Sequence, residues 1–192
     1  MTIELFFPTP VYYENASAEV HNKIKAEYKA VEKSILKNVK PKVWGDNIEA
    51  SYGTVINLFD DYKLPTLEEF IRCHINTFSK TLYTTHKDYE FTESWVNYYH
   101  KGQYQNVHIH PHAKISGVYY IQTNGKDGNL RFHPPGYSFR YDEGHNTNLT
   151  HNTMAHQPQE GKLILFPSFA PHSVQPNMTN DVRISISFNV VS

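Results

Sequence analysis

The sequence has little of several features that would otherwise direct the search for a function. Only one of its 192 residues is cysteine, which excludes an internal disulfide, and we interpret Cys73 as a small buried hydrophobic residue. No apolar run is long enough to span a membrane, and the first residues lack the basic region of a signal peptide. A net charge of −1 gives no support for a nucleic-acid or anionic-membrane surface. We therefore expect a cytoplasmic protein without nucleic-acid or membrane partners.

Histidine, in contrast, is concentrated in one part of the chain. Nine of the 12 histidines lie between His100 and His172. His108 and His110 stand two residues apart in a predicted strand, so their side chains point to the same face. A third histidine from a distant strand, His172, could close a metal site with open positions, and Arg183 on the next strand would suit a carboxylate co-substrate. This order of residues suggests a non-haem iron oxygenase.

The first half of the chain predicts elements that support a sheet rather than carry chemistry. The length fits one domain, residues 1–192, in which residues 1–90 supply supporting strands and helices. Apolar residues at helical spacing predict helices over residues 16–38 and 66–84, the second opened by a capping box of Thr66 and Glu69. Residues 3–13 are predicted to form an extended segment, and residues 51–59 are predicted to form a strand.

From residue 91 onward the sequence changes to short strands separated by turns. The strands are predicted at residues 93–100, 105–110, 115–122, 128–133, 162–166, 171–176 and 182–190. Residues 134–160 form an irregular insert typical of a lid or binding loop, in which Tyr137, Phe139 and Tyr141 could make a lid strand. The last strand alternates strictly, with Arg183, Ser185, Ser187 and Asn189 on one face. The expected fold class is mainly β with supporting helices.

Several motifs in this half resemble, in order and spacing, a small family of 2-oxoglutarate/Fe(II)-dependent dioxygenases of marine bacteria and cyanophages, which is distantly similar to prolyl hydroxylases. The motifs are Trp95-Val-Asn97, His108-Ile-His-Pro111, Ser116-Gly-Val-Tyr-Tyr120, residues 161–168, His172-Ser-Val-Gln-Pro176 and residues 183–189. The resemblance covers roughly residues 91–191. It implies a double-stranded β-helix (a jelly roll, cupin-like), with Fe(II) and 2-oxoglutarate as cofactors.

The resemblance also implies roles for individual residues. His108 and His172 match the iron ligands of the family, and His110 stands where most relatives have a carboxylate. Three imidazoles still bind Fe(II) well, although Asp142 or Glu143 of the insert, or water, could complete the site instead. Arg183 would grip the far carboxylate of 2-oxoglutarate. Further contacts to the co-substrate are expected from the polar residues Ser185, Tyr98, Tyr120 and Asn97.

The function implied is hydroxylation of a protein, peptide or small molecule, with release of succinate and CO2. Two alternatives remain open at this point: a three-histidine cupin-like dioxygenase that does not use 2-oxoglutarate, and a non-catalytic jelly-roll binding module. The primary substrate is not indicated by any motif, because a fold does not transfer a substrate. A homodimer is compatible with the sequence.

Overall fold

The computed structural model describes residues 9–43, 47–82, 88–134 and 153–192. Within these ranges the helices are α1 (Ala18–Leu36), α2 (Leu58–Asp61) and α3 (Pro65–Leu82). The strands are β1 (Tyr12–Asn15), β2 (Lys40–Pro41), β3 (Glu49–Ala50), β4 (Glu90–Tyr99), β5 (Gln105–His108), β6 (Ile115–Gln122), β7 (Leu130–Phe132), β8 (Met154–His156), β9 (Lys162–Pro167), β10 (His172–Val174) and β11 (Arg183–Val191).

These strands form two antiparallel sheets that face each other. The larger sheet has the order β1-β9-β6-β11-β4-β3-β2, and the smaller sheet has the order β5-β10-β7-β8. The space between them is filled at one end by an apolar cluster that includes Tyr120, Phe132 and Phe166. This is the jelly roll that the resemblance implies. Each of the seven predicted strands after residue 91 is present, with boundaries that lie within three residues of the predicted ones.

The helices cover the outer face of the larger sheet. Ser17 caps α1 by accepting a hydrogen bond from the Val20 amide, and Ile24, Tyr28 and Ile35 of that helix are buried. The apolar side chains of α3 pack with these residues in a second apolar cluster, which lies between the helices and the larger sheet. In the part of the chain that the structure describes, no helix combines the length and the apolar character needed to cross a membrane.

Four expectations about local structure are wrong. Residues 51–59 do not form a strand, because the chain turns at Gly53, whose φ is +73°, and Asn57 caps the short helix α2. α3 begins one residue early, at Pro65, and Thr66 donates hydrogen bonds to the Glu27 carboxylate rather than forming a capping box. Cys73 is exposed on α3, not buried.

The fourth correction concerns the insert. Its last residues form β8, which pairs with β7 at the edge of the smaller sheet. Three expectations cannot be compared with the structure because they fall on residues 135–152, outside the described ranges: the lid strand of Tyr137, Phe139 and Tyr141, and the alternative ligands Asp142 and Glu143. Residues 1–8 of the extended N-terminal segment are also outside those ranges.

Candidate metal centre and co-substrate pocket

Three histidines meet on the inner side of the smaller sheet. β5 and β10 are antiparallel neighbours, and their register places His108 directly opposite His172. Side chains that face each other across such a pair lie close together. His110 follows β5, where its backbone amide donates to the Ser168 carbonyl. One ligand atom from each of the three rings lies within 4.8 Å of the others, so the cluster has the dimensions of a metal site.

The backbone fixes the ring orientation of two of these histidines. Nδ1 of His108 lies 2.8 Å from the Asn106 carbonyl oxygen, and Nδ1 of His172 lies 2.9 Å from the Ala170 carbonyl oxygen. Because a carbonyl can only accept, Nδ1 carries the proton in both rings and Nε2 keeps its lone pair. A metal-ligating histidine usually has its other ring nitrogen held in this way.

His110 has a different hydrogen-bond environment. Its Nε2 lies 3.2 Å from Nε2 of His172, and its Nδ1 lies 3.3 Å from the amide nitrogen of Asn189. That same amide nitrogen donates to Glu93 at 2.9 Å. In this network Nδ1 of His110 is the acceptor and Nε2 is the donor to His172. The proton therefore sits on the opposite nitrogen from the one protonated in His108 and His172.

Burial keeps two of the three rings neutral. Desolvation, with a smaller contribution from the neighbouring His108, lowers the pKa of His110 to about 3. Burial also holds the pKa of His172 well below its usual value, and the two other histidines add to that effect. A metal ion requires the neutral imidazole, so the apolar surroundings favour the ligating form.

Arg183 lies fully buried between the sheets. Its Nη1 donates to the carbonyl oxygens of Asp127 and Gly128, both at 2.6 Å, and its guanidinium carbon lies 4.0 Å from the centre of the Tyr99 ring. The Asp127 carboxylate lies 3.9 Å from Nη1. Nη2 is buried and has no hydrogen-bond partner among the described residues. A buried donor without a partner is costly, and a carboxylate would satisfy it.

One pocket connects Arg183 with the three histidines. It contains about 480 Å³ of atom-free space, part of it open to solvent, and residues from both sheets line it. Polar lining residues on the larger sheet are Asn97, Tyr99, Tyr120, Arg183, Ser185 and Ser187. They are cross-strand neighbours, since Ser185 pairs with both Asn97 and Tyr120. The arrangement can hold a metal ion at one end and an anion at the other.

The structure places most of the predicted co-substrate contacts in this pocket, but not Tyr98. Asn97, Tyr120 and Ser185 line it, whereas the Tyr98 hydroxyl points into the outer core and hydrogen-bonds to Tyr28 at 2.5 Å. The next residue, Tyr99, faces the pocket instead. This removes the basis for expecting Tyr98 to contact the co-substrate. Burial raises the pKa of Tyr120 to about 12, so its hydroxyl stays protonated at neutral pH.

Sequence reasoning missed two residues that hold Arg183 in place, Tyr99 and Asp127. Tyr99 stands opposite Arg183 in the register of β4 and β11, and its hydroxyl donates to Gln105 at 3.1 Å. Side chains alternate along β4, so knowledge of its register with β11 would have identified Tyr99 as the neighbour of Arg183. Asp127 belongs to a sequence that predicts only a turn, and nothing in its spacing indicates Arg183.

The remaining histidines lie away from the three-histidine cluster or at its edge. His112 is exposed, and His133 hydrogen-bonds to Ser173 at 2.8 Å. His156 packs against Phe132. His145 and His151 fall outside the described ranges.

Comparison with protein families gives a match over half of the chain. Residues 93–189 match the family described as "Putative 2OG-Fe(II) oxygenase". The matched region begins in β4 and ends in β11, so it includes every residue of the histidine cluster and Arg183. No curated protein sequence matches the chain.

Solved structures with the same fold include prolyl hydroxylases and α-ketoglutarate-dependent enzymes. A prolyl-4-hydroxylase from Pseudomonas putida superposes with a TM-score of 0.60 at 14% identity, over 95% of this chain and 92% of that one. A prolyl hydroxylase from Trichoplax adhaerens, in complex with a peptide of hypoxia-inducible factor, gives 0.63 at 16% identity, over 94% and 82%. The epimerase SnoN of nogalamycin biosynthesis, in complex with Fe3+ and α-ketoglutarate, gives 0.68 at 10% identity, over 95% and 78%. At these identities the likeness shows the fold alone.

Proposed function

Since the chain belongs to the 2OG-Fe(II) oxygenase family, whose members use Fe(II), 2-oxoglutarate and O2, we propose that it hydroxylates a primary substrate at a centre held by His108, His110 and His172. The observation that carries this proposal is the pairing of two features in one pocket. Three imidazoles lie at one end, two of which burial keeps neutral, and at the other end lies Nη2 of Arg183, which has no hydrogen-bond partner among the described residues.

The donor set fits iron. Imidazole is a suitable ligand for divalent iron, and three of them on one side leave open positions for the co-substrate and O2. Bound Fe(II) supplies the oxidation chemistry, in which 2-oxoglutarate is converted to succinate and CO2 and one oxygen atom enters the primary substrate. The protein positions both substrates in the pocket.

His110 has to change tautomer to serve as a ligand through Nε2. The proton that Nε2 shares with His172 would move to Nδ1, which faces the Asn189 amide. Nδ1–H would then need an acceptor. Turning the Asn189 amide over would offer its oxygen, but that turn would break the hydrogen bonds that the amide makes to Glu93 and Ser116 and would set its oxygen against the Glu93 carboxylate. Asn189 therefore acts on the ring as a positioning residue.

Arg183 anchors the end of 2-oxoglutarate that is remote from the metal. Its Nη1 is already committed to two backbone carbonyls, so Nη2 is the donor that remains for the carboxylate. Tyr120 and Ser185 line the same pocket and offer hydroxyl donors beside it. A planar guanidinium held at one edge presents its other edge in a fixed direction, which favours a carboxylate at a defined distance from the histidines.

An anaerobic titration tests the proposal. Fe(II) is added to the protein and then 2-oxoglutarate, while the visible metal-to-ligand charge-transfer band of the chelated keto acid is recorded. We expect a band in the parent protein, no band in His172→Ala and a much higher 2-oxoglutarate requirement in Arg183→Ala. Matched controls are His100→Ala and Arg131→Ala, which remove exposed residues of the same types. Bound iron without a band would contradict 2-oxoglutarate chemistry and favour a three-histidine dioxygenase.

His110→Asp tests the third ligand separately. A carboxylate at this position restores the donor set that most relatives have, so we expect iron binding to persist while the turnover rate changes. If both metal content and turnover match those of the parent protein, His110 is not a ligand.

A further inference from the structure

A second groove, which Arg183 does not line, adjoins the histidine cluster. It shares Gln105, His108 and His110 with the co-substrate pocket and is the larger of the two, with about 1040 Å³ of atom-free space, part of it open to solvent. Its lining is formed by Tyr52, Glu93, residues 105–112 and Asn189. A primary substrate could approach the metal centre through this groove without displacing 2-oxoglutarate.

Glu93 is the only acidic residue among the described residues that line the groove, and none of them is a lysine or an arginine. Its carboxylate accepts from two neutral groups, the Tyr52 hydroxyl at 3.3 Å and the Asn189 amide at 2.9 Å. Within the described ranges it forms no ion pair. A half-buried carboxylate without a positive partner gains most from a ligand that brings one.

The charge of the centre itself does not compensate Glu93. Three neutral histidines contribute no charge, the two positive charges of Fe(II) are cancelled by the two negative charges of 2-oxoglutarate, and the positive charge of Arg183 is balanced by the Asp127 carboxylate 3.9 Å away. Glu93 therefore gives the mouth of the loaded site a net negative charge. Val107 and Ile109, which alternate with the two histidines along the chain, also line the groove and are 56% and 48% exposed.

We infer that the primary substrate carries an ammonium or guanidinium group on an aliphatic chain, and that Glu93 binds this group while Val107 and Ile109 contact the chain. The inference rests on the proposed function because the groove leads to the same metal centre. It assigns Glu93 a role in substrate selection, separate from the role of Arg183 in binding the co-substrate.

Two pairs of compounds test the inference. N-acetyl-L-argininamide differs from N-acetyl-L-citrullinamide, and N-acetyl-L-lysinamide from N-acetyl-L-norleucinamide, chiefly in the positive charge. Binding is measured by calorimetry without O2, both with Fe(II) and 2-oxoglutarate present and with neither. In the parent protein we expect the cationic member of at least one pair to bind about tenfold more tightly. The isosteric variant Glu93→Gln should reduce that ratio to about one.

The matched control is Glu90→Gln, the same change at an exposed position of β4 that does not line the groove. It should leave the binding ratio unchanged. Equal binding of both members of each pair, no binding of any of the four compounds, or a ratio that survives Glu93→Gln would overturn the inference. The proposed function fails on a different result, the absence of the charge-transfer band. The ratio measured without metal remains a test of Glu93 even in that case.

Discussion

On the outer face of the larger sheet, β11 places Ile184, Ile186 and Phe188 in an apolar core against the helices, whereas on the inner face it places Arg183 and Ser185 around the pocket. Both faces are equally withdrawn from solvent. The outer face is held by apolar packing, which tolerates other apolar side chains of similar shape. The inner face is held by directed hydrogen bonds, which tolerate few substitutions. Burial alone therefore does not distinguish the structural face of the sheet from the chemical one.

The two tyrosine pairs repeat this division on the flanking strands. Tyr98 and Tyr119 enter the outer core, where their hydroxyls bond to Tyr28 and His21. Their neighbours Tyr99 and Tyr120 face the pocket. Because successive side chains of a strand point to opposite faces, two identical residues in sequence have different tasks.

The largest expected effect comes from the outer face. Ile186→Ala removes a fully buried side chain and should lower the free energy of unfolding by about 3 kcal/mol, because the cavity is only partly closed by relaxation. Denaturant unfolding measures the loss. The adjacent Ser187→Ala, on the pocket face, should cost about 1 kcal/mol, the value of one hydrogen bond. Comparable losses in both variants would contradict the division between the two faces.

Arg183→Lys should act mainly on the inner face, where it should weaken the binding of 2-oxoglutarate. Lysine keeps the charge but lacks the planar fork, so it cannot bond the two backbone carbonyls and a carboxylate at once. We expect the dissociation constant for 2-oxoglutarate to rise about 30-fold, or about 2 kcal/mol. The charge-transfer titration measures this, with Arg131→Lys as the control. An unchanged constant would mean that the co-substrate does not reach Arg183.

The tyrosine pairs allow the same change to be made on each face. Tyr98→Phe should lower the free energy of unfolding by about 1 kcal/mol and leave the affinity for 2-oxoglutarate unchanged, because only the bond to Tyr28 is lost. Tyr120→Phe should do the reverse, weakening 2-oxoglutarate binding about fivefold. Unfolding and titration experiments on both variants decide between these outcomes. If Tyr98→Phe also weakens co-substrate binding, Tyr98 and not Tyr99 faces the pocket.

The sequence predicts that the side chains of a strand alternate between two faces. It does not predict the pairing register, which decides which of the two faces lines the pocket. Short strand-like runs between turn signals identified seven of the eight strands from β4 onward, all except β8, and strict alternation identified the polar face of β11. The choice between Tyr98 and Tyr99 depends on a pairing with β11 that no local pattern encodes. The position of Arg183 against the Asp127 and Gly128 carbonyls likewise depends on a turn 55 residues away in the chain.

The three histidines were predicted by different kinds of information. The i, i+2 spacing places His108 and His110 on one face, even though the strand ends at His108 and His110 lies beyond it. His172 became a candidate through its distance in sequence and its flanking motif. The tautomer of His110 could not be predicted, because it is set by Asn189 and Glu93 on two other strands.

The smallest expected effect is the pH dependence of the contribution that His21, on the outer face, makes to the free energy of unfolding. His21 lies between the Tyr119 hydroxyl at 2.9 Å and the Glu160 carboxylate at 3.5 Å. Burial lowers its pKa and outweighs Glu160, which raises it. Below about pH 6.5 the unfolded chain therefore binds this proton more readily than the folded chain, and the stabilisation by His21 that is present above that pH is lost on acidification.

The non-titrating variant His21→Gln isolates this contribution from those of the other buried histidines. We expect the difference in unfolding free energy between parent and variant, measured in urea from pH 7.5 to pH 5, to become smaller as the pH falls. A difference that grows on acidification would mean that Glu160 dominates and that His21 is protonated in the folded protein. In that case the outer face also contains a buried ion pair, next to Tyr119 of β6. The contrast between a packed face and a hydrogen-bonded face would then hold for β11 but not for β6.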